Sequence, residues 1–89
     1  MTIWIDVRTA DEYTSGHIHG AILIPYEEIA AKIGALNLSP EDDIRVYCRS
    51  GKRSGIAKDV LNGLGYLAVI NEGGYEELML RKAQGQPIP

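Results

Sequence analysis

The chain has little cysteine, no excess of basic charge and no long apolar run. Its one cysteine, Cys48, excludes an internal disulfide and a paired-cysteine redox centre, and it leaves the compartment open. No apolar run approaches the ~18 residues that a membrane helix needs. The net charge is -3, so no global positive field argues for nucleic acid or an anionic membrane as partner. No repeat or low-complexity segment occurs. The first strand-like run opens almost at Met1, which leaves no visible leader. The compartment reads as cytoplasmic from the sequence as it stands, and as periplasmic if a leader was removed.

What is present suits one α/β unit. The 89 residues make a single domain over 1–89, with 45% hydrophobic and 24% charged residues. A chain of this size buries roughly 60–65% of its unfolded surface. Residues 3–7, IWIDV, read as a strand. Thr9 and Glu12 have the capping-box spacing, opening a short helix that Gly16 stops. Residues 21–25, AILIP, read as a brief buried strand, and Ile29, Ile33 and Leu36 repeat at helical spacing. Ser39 to Asp42 form a turn or a single helical turn before the strand 44–48, IRVYC. Ile56, Val60, Leu61 and Leu64 mark the face of a second helix, with Gly63 and Gly65 as stops. A last strand over 66–70, a Glu72-Gly73-Gly74 turn and a closing helix with Tyr75, Leu78 and Met79 follow. The tail 83–89 is expected to be loose. Alternating strands and helices predict a central, mostly parallel sheet of about four or five strands, covered on both faces. Ligands of such sheets sit at the carboxyl ends of strands, and Cys48 occupies such an end.

Charge is unevenly placed around that cysteine. Arg45, Arg49, Lys52, Arg53 and Lys58 fall in one stretch without an acidic residue, directly after Glu41, Asp42 and Asp43. A concentrated basic stretch in an acidic chain fits a small anionic ligand. The helix carrying Ile56 begins near Lys52 or Arg53, so its free amides point back towards Cys48 and favour the thiolate. Gly51 permits unusual torsions, and the amides from Arg49 to Arg53 can form an anion-binding nest. Against this stands the ordinary fate of a free cysteine, which is burial as an inert apolar side chain. The count after the cysteine discriminates among anions. A C-x5-R phosphatase loop places arginine six residues on, where Ser54 stands; here arginine comes at five, as Arg53. The shorter loop suits a single sulfur atom better than a phosphoryl group.

CRSGKR resembles the six-residue active-site loop of the rhodaneses, the thiosulfate sulfurtransferases. IDVRTADEYTSGHIHGAILIP is similar to the family's N-terminal pattern, and NEGGYEEL to its Gly-Gly turn. The resemblance runs from about Trp4 to Leu80, and the opening WIDVR with the small size is similar to the single-domain, phage shock protein E type. It implies the rhodanese-like fold and a Cys48 persulfide. In that chemistry the Cys48 thiolate takes the outer sulfur of thiosulfate, and a thiophilic acceptor (cyanide, a thiol or a protein thiol) removes it. Arg49 and Lys52 are then candidates for holding the donor, and Arg53 joins them with the Ser50 and Gly51 amides as the cradle. A monomer without cofactor or metal is expected. The alternative is a persulfide carrier or binding module serving a protein partner; a phosphatase or arsenate reductase is disfavoured by the short loop.

Other polar residues have plainer readings. Asp6, Arg8 and Glu12 read as structural, an ion pair at a strand end plus a helix cap, and not as an acid-base group. His17 and His19 lack partners at ligand spacing for a metal, and His17 is expected to hydrogen-bond within its loop. Trp4, Tyr13 and Tyr66 read as core or half-buried packing. Gly73-Gly74 reads as a turn; the alternative is that it approaches the Cys48 pocket and shapes acceptor access.

Overall fold

A computed structural model describes all 89 residues. The β-formers of β1 (Thr2–Asp6), β2 (Ile22–Leu23), β3 (Asp43–Cys48) and β4 (Ala68–Gly74) make one sheet of order β2-β1-β3-β4. Every neighbouring pair is parallel, with Ile3 opposite Ile44 and Ile5 opposite Val46. The expected mostly parallel sheet is therefore a four-stranded, wholly parallel one. Side chains alternate along each strand. Ile3, Ile5, Val7, Ile44, Val46 and Cys48 enter one cluster with Ile24, Ile29, Ile33, Ala57, Leu61 and Val69. Tyr47 enters a smaller cluster on the other face with Ile18, Ala21 and Leu78.

Helices cover both faces. α1 (Ala10–Ser15) opens with the expected capping box, in which the Thr9 hydroxyl accepts the Glu12 amide and Glu12 reaches back to the Thr9 amide. α2 (Ile29–Lys32) lies between two 3-10 turns, Tyr26–Glu28 and Ile33–Leu36; α2 buries Ile29 and the second turn buries Ile33. Asn37 ends this segment at φ 53, a left-handed torsion that asparagine tolerates. α3 (Lys52–Gly63) packs with α2 against the larger cluster, and α4 (Tyr75–Ala83) packs Leu78 into the smaller one. From the tail, Ile88 packs against that smaller cluster too. No helix is long and apolar enough to cross a membrane.

Three expectations need correcting. α3 turns inward only part of the expected face: Leu61 is buried and Val60 packs against the core, while Ile56 and, just past the helix, Leu64 are 44% and 51% exposed and Ser54 and Ala57 are buried instead. Small residues let the helix lie close to the sheet, and a pattern counted on bulky side chains misses them. β4 starts at Ala68 and runs through Gly74, so the Gly-Gly pair closes a strand and makes no separate turn. Its pairing with β3 slips between Val46 and Cys48, which brings Gly74 opposite Cys48. β2 is an edge strand with Ile22 38% exposed, and the burial falls on its flanks Ala21 and Ile24.

The smaller cluster encloses a polar knot. Asp6, fully buried, accepts the Arg8 amide at 2.9 Å, the Arg8 guanidinium at 2.7 Å and the Tyr47 hydroxyl at 2.8 Å. Arg8 also donates to the Gly16 carbonyl at 2.6 Å, and the Tyr47 oxygen accepts the Ile18 amide at 3.0 Å. Burial first, and Asp6 beside it, raise the Tyr47 pKa and keep the phenol protonated as a donor. Every buried side-chain polar atom has a partner. Breaking such a knot from one side leaves an uncompensated charge. Asp6→Ala should lower stability by ~3–5 kcal/mol, and Tyr47→Phe by ~1–3 kcal/mol, read from urea midpoints. Equal losses in the two variants would mean that Arg8 does not depend on Asp6.

Candidate active site

β3 ends at Cys48 on the carboxyl edge of the sheet, between β1 and β4. The chain must then turn at once into α3, and Gly51 makes that possible at φ 94, a left-handed torsion that a side chain rarely adopts. The turn folds the backbone over the sulfur. The Gly51 amide donates to Cys48 Sγ at 3.0 Å, and the Ser54 hydroxyl lies 3.4 Å from it. Burial opposes the thiolate, yet the Ser54 hydroxyl and the amides of Ser54, Ser50 and Gly51 outweigh it, so the thiol sits below its ordinary pKa. Cys48 is fully buried beneath this ring of donors.

The cations divide into three groups. Arg53 makes a forked pair with Glu12, its two terminal nitrogens donating at 2.7 and 3.0 Å. That pair, with the Thr9 amide, holds the Glu12 carboxyl down at about 2. Glu12 is thus more than a helix cap, because it fastens α1 to the start of α3. Arg49 and Lys52 are exposed and have no side-chain hydrogen bond or ion pair. Arg45 is not part of this group at all. It sits on β3, bound to Asp43 and to Glu72, which also takes Arg81.

Sequence reasoning missed two residues of the site. Asn71, on β4, donates from Nδ2 to the Gly51 carbonyl at 2.9 Å and accepts the Ser54 hydroxyl at 2.7 Å and the Gly73 amide at 3.0 Å. Ser54 was only the place where an arginine is absent; it lies fully buried beside the sulfur. An asparagine just before a Gly-Gly pair at a strand's carboxyl end was the available signal. Gly74 packs against the loop so closely that an added Cβ would overlap the Arg49 carbonyl oxygen, and Gly51 faces the Gly73 Cα. The Gly-Gly segment therefore does approach the cysteine loop. His17 Nδ1 donates to the Tyr13 carbonyl at 2.9 Å and the ring stacks on that of Tyr13, while His19 is exposed. Asp6 and Arg8 lie behind the site, reaching it through Tyr47.

Residues 1–80 match the rhodanese-like domain family. The chain belongs to that family. It is 39% identical over 82 residues to the thiosulfate sulfurtransferase PspE of Escherichia coli, covering 92% of this chain and 79% of that one. A solved E. coli rhodanese with anions superposes with a TM-score of 0.82 at 39% identity, over 86% of this chain and 91% of that chain. The human single-domain sulfurtransferase TSTD1 superposes at 0.78 and 30% identity, over 90% and 82%. The rhodanese fold expected from the sequence is the fold present, with its sheet wholly parallel.

The Glu12–Arg53 pair makes a pH prediction for this rhodanese-like domain. The Glu12 carboxyl moves from its ordinary 4.5 to about 2 on folding. A depressed pKa gives stability that is whole above the unfolded value and is lost as pH falls through the folded one. Glu12→Gln should lower the urea midpoint at neutral pH, and the gap from the parent should close between pH 4.5 and about 2. A gap that stays constant through that window would remove the pair as its source.

Proposed function

We propose that this protein is a thiosulfate sulfurtransferase working through a persulfide on Cys48. The observation that carries the reading is the sulfur's setting. It is one buried atom at a strand end, ringed by N–H and O–H donors, with two unpaired cations outside the ring. Family membership and the names of its relatives support the same chemistry.

The two steps balance without a proton. The Cys48 thiolate attacks the outer sulfur of thiosulfate, a new S–S bond forms, and the old S–S bond breaks with its electron pair leaving on sulfite. Cyanide, or a thiolate, then attacks the outer sulfur of the persulfide. The Cys48 thiolate leaves, and thiocyanate or a new persulfide departs. Negative charge stays on sulfur throughout, so the donors that favour the thiolate also favour the persulfide. Arg49 and Lys52 attract the dianionic donor from the rim, Arg53, paired with Glu12, adds its charge near the sulfur, and the Ser50 and Gly51 amides face the sulfur.

Thiocyanate formed from thiosulfate and cyanide is the direct measure, and Cys48→Ser should reduce it to background. Undiminished turnover in that variant, or none in the parent, overturns the reading. The Arg49→Ala/Lys52→Ala pair should raise the KM for thiosulfate by several-fold to about tenfold while sparing acceptor attack, since exposed charges contribute little each. Unchanged saturation would remove both as donor ligands. A persulfide that forms with thiosulfate but discharges only to a protein thiol would make the protein a sulfur carrier.

A further inference from the structure

Asn71 is exposed at the outer edge of the site, yet its side-chain amide is engaged on both sides. Its partners fix which end is which, because Gly73 offers an N–H and Gly51 a carbonyl. Among the donors around Cys48 Sγ, the Gly51 amide lies at 3.0 Å and the Ser54 hydroxyl at 3.4 Å. Each belongs to a residue that Asn71 grips directly.

We propose that Asn71 is a positioning residue for Cys48, holding the Gly51 amide and the Ser54 hydroxyl on the sulfur. The consequence for turnover rests on the sulfurtransferase reading; the geometry does not.

Two physical arguments carry it. Gly51 has no Cβ and sits at φ 94, so nothing in its own torsions stops the neighbouring peptides from turning. The Gly51 carbonyl is held from two sides, by the Gly55 amide of α3 at 3.0 Å and by Asn71 Nδ2 at 2.9 Å, and the Asn71 bond is the one that ties that glycine, and with it the direction of its N–H, to β4. The Ser54 hydroxyl has one proton and two acceptors, Asn71 Oδ1 at 2.7 Å and Sγ at 3.4 Å. While the sulfur is a neutral thiol, the proton rests on Asn71 and the Ser54 oxygen can accept from the S–H. When the sulfur turns negative, the hydroxyl can swing its proton across. Oδ1 still holds the Gly73 N–H, so no acceptor is left bare. Asn71 thus keeps the Ser54 proton available at either charge of the sulfur.

The test is Cys48 alkylation by iodoacetamide as a function of pH, which uses no thiosulfate. Asn71→Leu should raise the midpoint by about one pH unit, about tenfold less thiolate below the midpoint. Asn71→Asp should raise it further, because a carboxylate retains the Ser54 proton and repels both the Gly51 carbonyl and the thiolate. In the Asn71→Leu/Ser54→Ala double variant the shift should fall short of the sum of the two single shifts. A structural role alone would lower the unfolding temperature and leave the midpoint in place; an unmoved midpoint in either folded variant overturns the proposal. The parent protein supplies a readout that needs no variant. In nitrogen-15 spectra the Asn71 side-chain NH2 signals should move with the thiol titration, and signals that stay fixed overturn the proposal as well. Failure of the thiocyanate assay with a shifted alkylation midpoint would sink the sulfurtransferase reading and leave this one standing. Normal turnover with an unmoved midpoint would do the reverse.

Discussion

The site depends on the tight curl that the backbone makes immediately after β3. A buried sulfur can carry negative charge only if N–H groups replace the water it has lost. Those N–H groups must come from a chain that leaves the strand and doubles back within three residues, from Cys48 to Gly51. Such a curl is locally unfavourable and is held from outside. Gly51 supplies the left-handed torsion. Gly74, opposite Cys48, supplies the space, because any side chain there would meet the Arg49 carbonyl. Asn71 ties the curl to β4, and Arg53 ties the following helix to Glu12 on α1.

The residues behind the site connect to it by a short physical route. Asp6 orients Arg8, and Arg8 donates to the Gly16 carbonyl at the end of α1. α1 in turn presents Glu12 to Arg53. On the same face the Arg8 guanidinium lies 4.6 Å from the centre of the Tyr75 ring, and Tyr75 directly follows Gly74. Tyr47 directly precedes Cys48 and bonds to Asp6 through its hydroxyl and to the Val7 amide through its carbonyl. The Asp6–Arg8 pair is structural in what it touches, yet both the loop's anchor on α1 and the strand beside the sulfur lean on it. A buried ion pair is weak as a source of net stability and better suited to fixing one arrangement.

How much of this was legible depended on whether the signal was local. The capping box, the strand into Cys48 and the start of α3 at Lys52 are written in adjacent residues, and each stands in the structure close to where the sequence puts it. On α3 the expected face holds at Val60 and Leu61 and fails at Ile56 and Leu64, because the other close contacts come from Ser54 and Ala57, which carry no weight in a count of bulky side chains. β4 was misplaced for a related reason. Its carboxyl half, Asn-Glu-Gly-Gly, has turn composition, and only the slipped pairing with β3 keeps it in the sheet. Arg45 stands near the loop in sequence and belongs to a different charge cluster, since it is already bound to Asp43 and Glu72. Asn71 lies 20 residues from the glycine whose carbonyl it holds, a contact that only the folded sheet reveals.

The same geometry gives physical content to the spacing of the loop. In a C-x5-R loop an arginine stands at the sixth position after the cysteine, reaching over a bound tetrahedral group. Here the sixth position is Ser54, and it faces the sheet, fully buried, with its hydroxyl near the sulfur and bonded to Asn71. A guanidinium at that place would have to displace the helix from the strands. The arginine one residue earlier lies elsewhere on α3 and is drawn towards Glu12. The closest donors to the sulfur are therefore neutral, the Gly51 amide and then the Ser54 hydroxyl, while the unpaired charges, Arg49 and Lys52, are at the exposed rim. Neutral donors close to the sulfur favour an anion without binding it so tightly that it ceases to react. Outlying cations raise the local concentration of a dianion and release it once its charge has been carried away on sulfite. That division of labour suits a site that must lower the cost of negative charge on one sulfur atom in two successive displacements.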